Sequence, residues 1–178
     1  MTVRIRSARR DDWEHCLALD TTYETEIAWQ MEETWRSGTW SIRFREVRLP
    51  RKQKITGLIS PEERLLAWER CDGFWVAAER RQIYGYLGVR LEPQNRQARI
   101  VDLLVAPSMR RRGIGSELLA QALSWCERKG VEQLILECQM KAQPGIAFAQ
   151  KHGFSLCGFQ DSYWPGQEVG LFFRKRFH

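Results

Sequence analysis

The sequence predicts a single α/β (α+β) domain in which helices cover one sheet. Three observations carry that expectation. The apolar period switches repeatedly between that of strands and that of helices, with no repeat, linker or low-complexity segment. A hairpin signature in the middle of the chain gives antiparallel pairing, and a strand–helix–strand run follows it, so the sheet is mixed. At 178 residues the chain can build one sizeable core; a chain of roughly 150 residues buries close to 70% of its unfolded surface.

The elements follow in order. "TVRIR" alternates and reads as the first strand. Asp11 or Asp12 caps a helix in which Trp13, Cys16 and Leu17 recur at helical spacing. Residues 21–38 are aromatic and polar with no clear period. "WSIRFREVRLP" alternates Trp40, Ile42 and Phe44 against Ser41, Arg43 and Arg45, a strand ending at Pro50, and "RKQKITGLI" reads as a basic connection. Ser60, Pro61 and Glu63 form the start of a capped helix. "GFWVAAE" and "QIYGYLGVRLE" are two strands joined around Arg80 and Arg81. "ARIVDLLVAP" is an apolar strand stopped by Pro107. From Gly113 to about Lys129 runs a helix with Ile114, Leu118, Ala122, Trp125 and Cys126 on one face and Gly130 as its stop. "QLILECQ" is a buried strand, "PGIAFAQKHG" a short helix, and "FSLCGFQ" and "EVGLFFRKRF" are closing strands.

Composition narrows the function. The chain has 28 basic and 22 acidic residues, a net charge of +6. That suits an acidic ligand, nucleic acid or simple solubility. Neither a basic patch with interleaved aromatics nor a recognition helix stands out, so no nucleic acid is expected. Five scattered cysteines, none in a CxxC pair, form neither a disulfide framework nor a zinc site, and no metal is expected. Reduced thiols, no apolar leader at "MTVRIRSARRDD" and no run of roughly 18 apolar residues lead to the expectation of a cytoplasmic protein with no membrane contact.

The densest positive charge stands where a helix begins, in "MRRRGIGSELL" from Met109 to Leu119. A helix start already carries about half a positive charge and unpaired N–H groups. Cations there ask for an anion. Gly113 and Gly115 let a phosphate approach the backbone, and Arg110, Arg111 and Arg112 add charge at the rim. A P-loop would need a lysine that is missing here, and a dinucleotide fingerprint would need glycine at Leu118. The pattern that fits is R-x-x-G-x-G between strand and helix, and a diphosphate is its natural ligand.

From about Phe74 to Phe173 the chain resembles the GNAT superfamily of acyl-CoA-dependent N-acetyltransferases. The resemblance is strongest in "VDLLVAPSMRRRGIGSELL" and continues in "LILECQMKAQPGIAFAQKHGFSLCGF". It implies a single GNAT domain over 1–178, with a central, mostly antiparallel sheet flanked by helices, an acyl-CoA-binding core at 99–130 and a variable substrate-side insertion at 29–71. It implies that N–H groups from Arg111 to Ser116, Ile114 among them, hold the pyrophosphate. Leu103, Leu104 and Val105 would pair with the pantetheine arm like an added strand. "TTYETEIAWQM" and "HGFSLCGFQDSYWPGQEVGLFFRKRF" look similar to streptothricin acetyltransferase-like members, which implies a small-molecule amine as acceptor. Many members carry an asparagine and a thiolate-protonating tyrosine on the short helix. Here those positions are Ala142 and Ala149, so neither side chain can donate.

Transfer of acetyl from acetyl-CoA to a primary amine needs a base, a polarised carbonyl and a proton for the leaving thiolate. Asp102, on an apolar strand, is a base candidate or a partner for an arginine; Glu137, on the neighbouring strand, is a second. Glu26 among its aromatics could hold a cationic amine, with Trp29 and Trp164 as pocket wall and rim. Tyr163 and Tyr23 are candidates for the acid, and the Val105 N–H for the carbonyl. His152 reads as a cation set against a helix C-terminus, and Cys138 as core. Two other readings remain open: a non-catalytic acyl-CoA sensor, and a protein N-acetyltransferase. The aromatic-rich 29–58 region is a candidate homodimer surface.

Overall fold

The computed structural model describes residues 2–177. The elements are β1 (Arg4–Ser7), α1 (Asp12–Leu17), β2 (Tyr23–Arg36), β3 (Thr39–Ile55), α2 (Pro61–Trp68), β4 (Gly73–Glu79), β5 (Gln82–Glu92), β6 (Gln97–Val105), α3 (Ile114–Arg128), β7 (Gln133–Gln139), α4 (Gln143–Lys151), β8 (Ser155–Trp164) and β9 (Glu168–Arg176). Seven strands form one sheet in the order β1-β4-β5-β6-β7-β9-β8, and β2 and β3 form a separate ribbon. Every pair in the large sheet is antiparallel except β6–β7. This is a single-domain mixed α/β fold.

The period of two along the strands divides the core. In β4, Trp75 and Ala77 face α3, whereas Val76 and Ala78 face α1 and α2. The larger core joins Leu87, Val89 and Ile100 of the sheet to Leu118, Leu119, Ala122 and Cys126 of α3 and Ile146 of α4. The smaller core joins Val76, Ile83 and Tyr86 to Cys16 of α1 and Trp68 of α2. The start of α2 is a full capping box, with Glu63 N–H donating to Ser60 Oγ at 3.2 Å and Ser60 N–H donating to the Glu63 carboxylate at 3.0 Å. At α1 the cap differs from expectation: Asp11 makes no side-chain cap bond. The Asp12 carboxylate accepts instead from Arg9 N–H and from both Arg6 guanidinium nitrogens, at 2.6–2.7 Å. That pair holds the Asp12 carboxyl below its ordinary value.

Two expectations fail in the ribbon: Pro50 does not end β3, and residues 51–55 continue the strand rather than form a connection, while residues 23–36, which show no clear period, are a strand. The pairing passes from Thr25↔Gln53 to Ile27↔Arg48, so Leu49–Lys52 bulge opposite Glu26. Pro50 falls in that bulge, where a missing N–H costs no ladder bond. The outer ribbon is largely wet on both faces, so burial demands no apolar alternation: β2 shows none, and the Trp40 and Ile42 of the alternating β3 stretch are exposed. Its tip carries Trp35 and Trp40, 61% and 65% exposed and edge to face at 5.3 Å. The ribbon is fastened to the sheet near its base, where Trp29 N–H donates to Met140 O at 2.8 Å and Phe44 meets Phe159 at 5.4 Å.

The sheet is not continuous. β6 and β7 pair only at Gln97↔Gln133, Ala98↔Leu134 and Arg99↔Ile135. Beyond that point Ile100–Val105 and Leu136–Gln139 diverge without a ladder, opening a gap in the middle of the sheet.

Candidate active site

The turn between β6 and α3 lies at the C-terminal end of that gap. Arg111 and Gly113 both have positive φ, +65° and +87°. Left-handed residues alternating with right-handed ones turn successive N–H groups toward one point, an anion nest. Among the described residues no carbonyl or side-chain oxygen accepts from the N–H groups of Arg111 through Ser116. A Cβ on Gly113 would meet nothing within 4 Å, so the space beside it is open. A diphosphate fits this cradle: six unpaired donors, a helix dipole and an unfilled approach. Ile114 contributes only backbone, because its side chain is buried in the larger core.

The arginines are not equivalent. Arg111 and Arg112 are exposed at the rim. Arg110 is turned away: its Nε donates to Val105 O at 3.0 Å and its terminal nitrogen to Thr22 O at 2.9 Å. It therefore clamps the end of β6 to the base of the ribbon instead of waiting for a phosphate, and burial pushes its guanidinium below its ordinary value. Backbone direction separates the three predicted pantetheine residues as well. Ala106 N–H donates to Tyr84 O beside β5. Alternation then points Leu104 toward β5 and leaves Leu103 and Val105 to face the gap. Val105 O is taken by Arg110, so its N–H is the donor left at that end.

The structure brings two of the predicted catalytic residues together. Tyr163 O–H donates to Glu137 Oε2 at 2.6 Å, and Arg99 pairs with Glu137 Oε1. Arg99 also bonds Glu92 at 2.8 Å, so one guanidinium bridges two carboxylates across β5, β6 and β7. Arg99 and its bonds hold the Glu92 carboxyl down at about 2, against the cost of burial. Burial, then the bond to Glu137, pushes the Tyr163 hydroxyl up to about 12. Gly170 makes the pair possible: a Cβ there would stand 2.5 Å from the Tyr163 ring. Glu137 lies in the stretch of β7 that is paired to β9 but no longer to β6, beside the gap.

Asp102 stands apart from that pair. Its Oδ2 accepts from Tyr86 O–H at 2.9 Å, Trp68 Nε1 at 3.2 Å and Arg64 Nε at 3.3 Å. Arg64 is 8% exposed and lies over the Trp68 ring at 5.1 Å. Asp102 thus neutralises a buried guanidinium in the smaller core. Arg64 and Tyr86 carry no local sequence signal for this role; the topology alone joins them.

On the acceptor side, Glu26 is half-exposed opposite the β3 bulge, 3.6 Å from Arg48. Trp29 Nε1 donates to Gln143 Oε1 at the start of α4, at 2.8 Å. Trp164 stands edge-on to Tyr163, and its Nε1 is buried without a partner. The Tyr23 hydroxyl is likewise buried and unpartnered, pushed up to about 12 mainly by burial. Tyr23 follows the residue that Arg110 clamps to β6, and Trp29 is bonded to the end of β7, so this stretch of β2 crosses the mouth of the gap. Ala142 and Ala149 offer no side-chain donor, and Ala149 is fully buried. Cys138 is 5% exposed, in the core. Among the described residues, no three His, Cys, Asp or Glu side chains converge in a way that could hold a metal.

A sheet parted between two parallel strands, with a diphosphate cradle where the next helix starts, defines an acyltransferase that works on a coenzyme A thioester. The sequence matches the acetyltransferase (GNAT) family over residues 42–154. The chain belongs to that family of acetyl-CoA-dependent N-acetyltransferases. It is 24% identical over 172 residues to streptothricin acetyltransferase of Streptomyces lavendulae, covering 93% of this chain and 88% of that one. A stretch of 89 residues is 33% identical to N-acetyltransferase family 8 member 3 of Rattus norvegicus, 48% of this chain and 39% of that one. Nourseothricin acetyltransferase superposes with a TM-score of 0.81 at 23% identity, with 99% of each chain covered. A candidate streptothricin acetyltransferase from Bacillus anthracis str. Ames, solved in complex with acetyl coenzyme A, gives 0.79 at 21% identity, covering 100% of this chain and 99% of that one.

Proposed function

We propose that this protein moves acetyl from acetyl-CoA directly to a primary amine of a small, antibiotic-like or metabolic molecule. The observation that carries the reading is the β6–β7 gap, with unpaired N–H groups at its end and the Glu137–Tyr163 pair on its flank. Similarity to streptothricin acetyltransferase along most of both chains supports a small-molecule acceptor.

The cradle from Arg111 to Ser116 holds the diphosphate, and the free edge of β6 at Leu103 and Val105 takes the pantetheine arm like an added strand. When bound, acetyl-CoA supplies an activated acetyl group. The chain's residues do the rest. Glu137, balanced by Arg99, holds the incoming ammonium and takes its proton. The Val105 N–H polarises the acetyl carbonyl. As the nitrogen–carbon bond forms and the carbon–sulfur bond breaks, the nitrogen's second proton passes to solvent, and the Tyr23 hydroxyl gives the sulfur its proton and is restored from solvent. Glu26, Trp29 and Trp164 line the acceptor side. Asp102 is a structural carboxylate, set by Arg64. Much of the acceleration comes from holding both substrates together, up to roughly 7–11 kcal/mol in favourable cases.

Ala142 and Ala149 favour a second reading, a non-catalytic sensor of acyl-CoA. One experiment separates the two: incubation with acetyl-CoA and a panel of amines, with free thiol and acetylated products measured together. Thiol release matched by one acetylated amine establishes the transferase. Thermal stabilisation by acetyl-CoA with no product across the panel establishes the sensor. Product on peptide N-termini alone would move the acceptor class to proteins.

A further inference from the structure

His152 ends α4, and the sequence alone places it as a cation against that helix end. The structure gives it a different neighbour. Its Nε2 lies 3.0 Å from Ser116 Oγ, and Ser116 is the last residue of the phosphate cradle. The ring leans on Phe148, one turn earlier, with centroids 4.4 Å apart. Lys175 of β9 fixes the backbone, its ammonium donating to His152 O at 2.8 Å. One ring nitrogen, one ring face and the carbonyl are therefore each held, and the imidazole stands beside the cradle in a set position.

The charged groups that act on the ring are cations: Lys151 on its own helix and Lys175 on β9. From α3 it meets the neutral Ser116 hydroxyl, and from α4 the apolar Phe148 ring. Burial, followed by the two lysines, holds the imidazole below its ordinary value and so favours its neutral form in the free protein. The ring that touches the end of the cradle is thus acted on by two ammonium groups and by no carboxylate. Arg110, at the start of the same turn, is committed to Val105 and Thr22.

We propose that His152 is a further phosphate contact of the acyl-CoA site, donating from its imidazolium to the diphosphate held by the Arg111–Ser116 turn. The inference rests on the acyl-CoA reading of that turn. Binding then takes up a proton. Affinity is highest below the free imidazole's titration, falls as pH rises toward the titration of the bound form, and is flat above it. One unit of difference between the two forms is a tenfold change in affinity.

The test is calorimetric binding of coenzyme A between pH 6 and 8 to the wild type and to His152→Asn, which keeps a hydrogen-bonding partner for Ser116. The wild type should lose about tenfold in affinity across that range and take up a proton on binding. The variant should lack this component; ionisation of the 3′-phosphate is common to both proteins and cancels in the comparison. The difference should persist with dephospho-CoA; if it vanishes there, the diphosphate contact is overturned. In the wild type, the imidazole resonance that the variant lacks should titrate about one unit higher with coenzyme A bound, a readout that stands even if the variant folds poorly. Equal pH slopes and an unmoved resonance would refute the role of His152. A wild type that binds no coenzyme A at any pH would refute the acyl-CoA reading itself.

Discussion

On the proposed reading, the phosphate cradle and the Glu137–Tyr163 pair serve one gap, but they are made of different materials. The cradle is main chain, contiguous from Arg111 to Ser116, and owes its shape to two left-handed residues. The pair is side chain, assembled from β5, β6, β7 and β8 with residues as distant as Glu92 and Tyr163. A backbone site tolerates exchange of most of its side chains. A side-chain site is lost with one atom. The two regions should therefore fail in different measurements.

The largest effect is expected at the pair. Glu137→Gln should lower turnover by about 10²–10³, within the range of a positioned base, with acetyl-CoA affinity within about twofold. Steady-state rates and direct binding together check this, and a parallel loss of affinity would break the division between the regions. Asp102→Asn comes next and should register in stability: it weakens the partner of a buried guanidinium, at about 2 kcal/mol in urea unfolding. Its turnover should stay within about threefold; a fall matching that of Glu137→Gln would make Asp102 the base instead. Gly113→Ala should raise the acetyl-CoA Kd about tenfold by filling the phosphate approach, and cost about 1 kcal/mol for a non-glycine left-handed residue, with kcat at saturation unchanged. The last prediction concerns acid and touches stability alone. Glu92 has a folded titration near 2 against an ordinary value of 4.5, so its contribution is complete above 4.5 and is lost as pH falls toward 2. Urea midpoints measured down that range should fall less steeply in Glu92→Gln.

The same contrast explains what the sequence discloses. The cradle is legible because Arg110-x-x-Gly113-x-Gly115 sits between an apolar strand and an amphipathic helix, and every part of it is local. The α2 capping box and the α3 core face are legible for the same reason. The pair is only half legible: Glu137 and Tyr163 can each be suspected, but their contact depends on β8 returning beside β9, with Gly170 making room. Asp102 looks like a base because its arginine lies 38 residues away on another element. β2 eludes the reading because a strand largely wet on both faces keeps no clear apolar period, and the end of β3 is misplaced because Pro50 hides in a bulge. Arg110 misleads because charge at the right place says nothing about which way the side chain turns.

The parted strands carry a consequence for the protein's own endurance. Both peptide groups of Leu103 and the N–H of Val105 face the gap, where water must serve them until a donor arrives; on the proposed reading the thioester's arm is then a missing rib of the architecture. Resistance to melting should then follow the supply of that metabolite, gaining about 2.7 kcal/mol when its concentration reaches a hundred times Kd. In a starved cell the same polypeptide would be a softer object, and more exposed to proteolysis, than in a well-fed one.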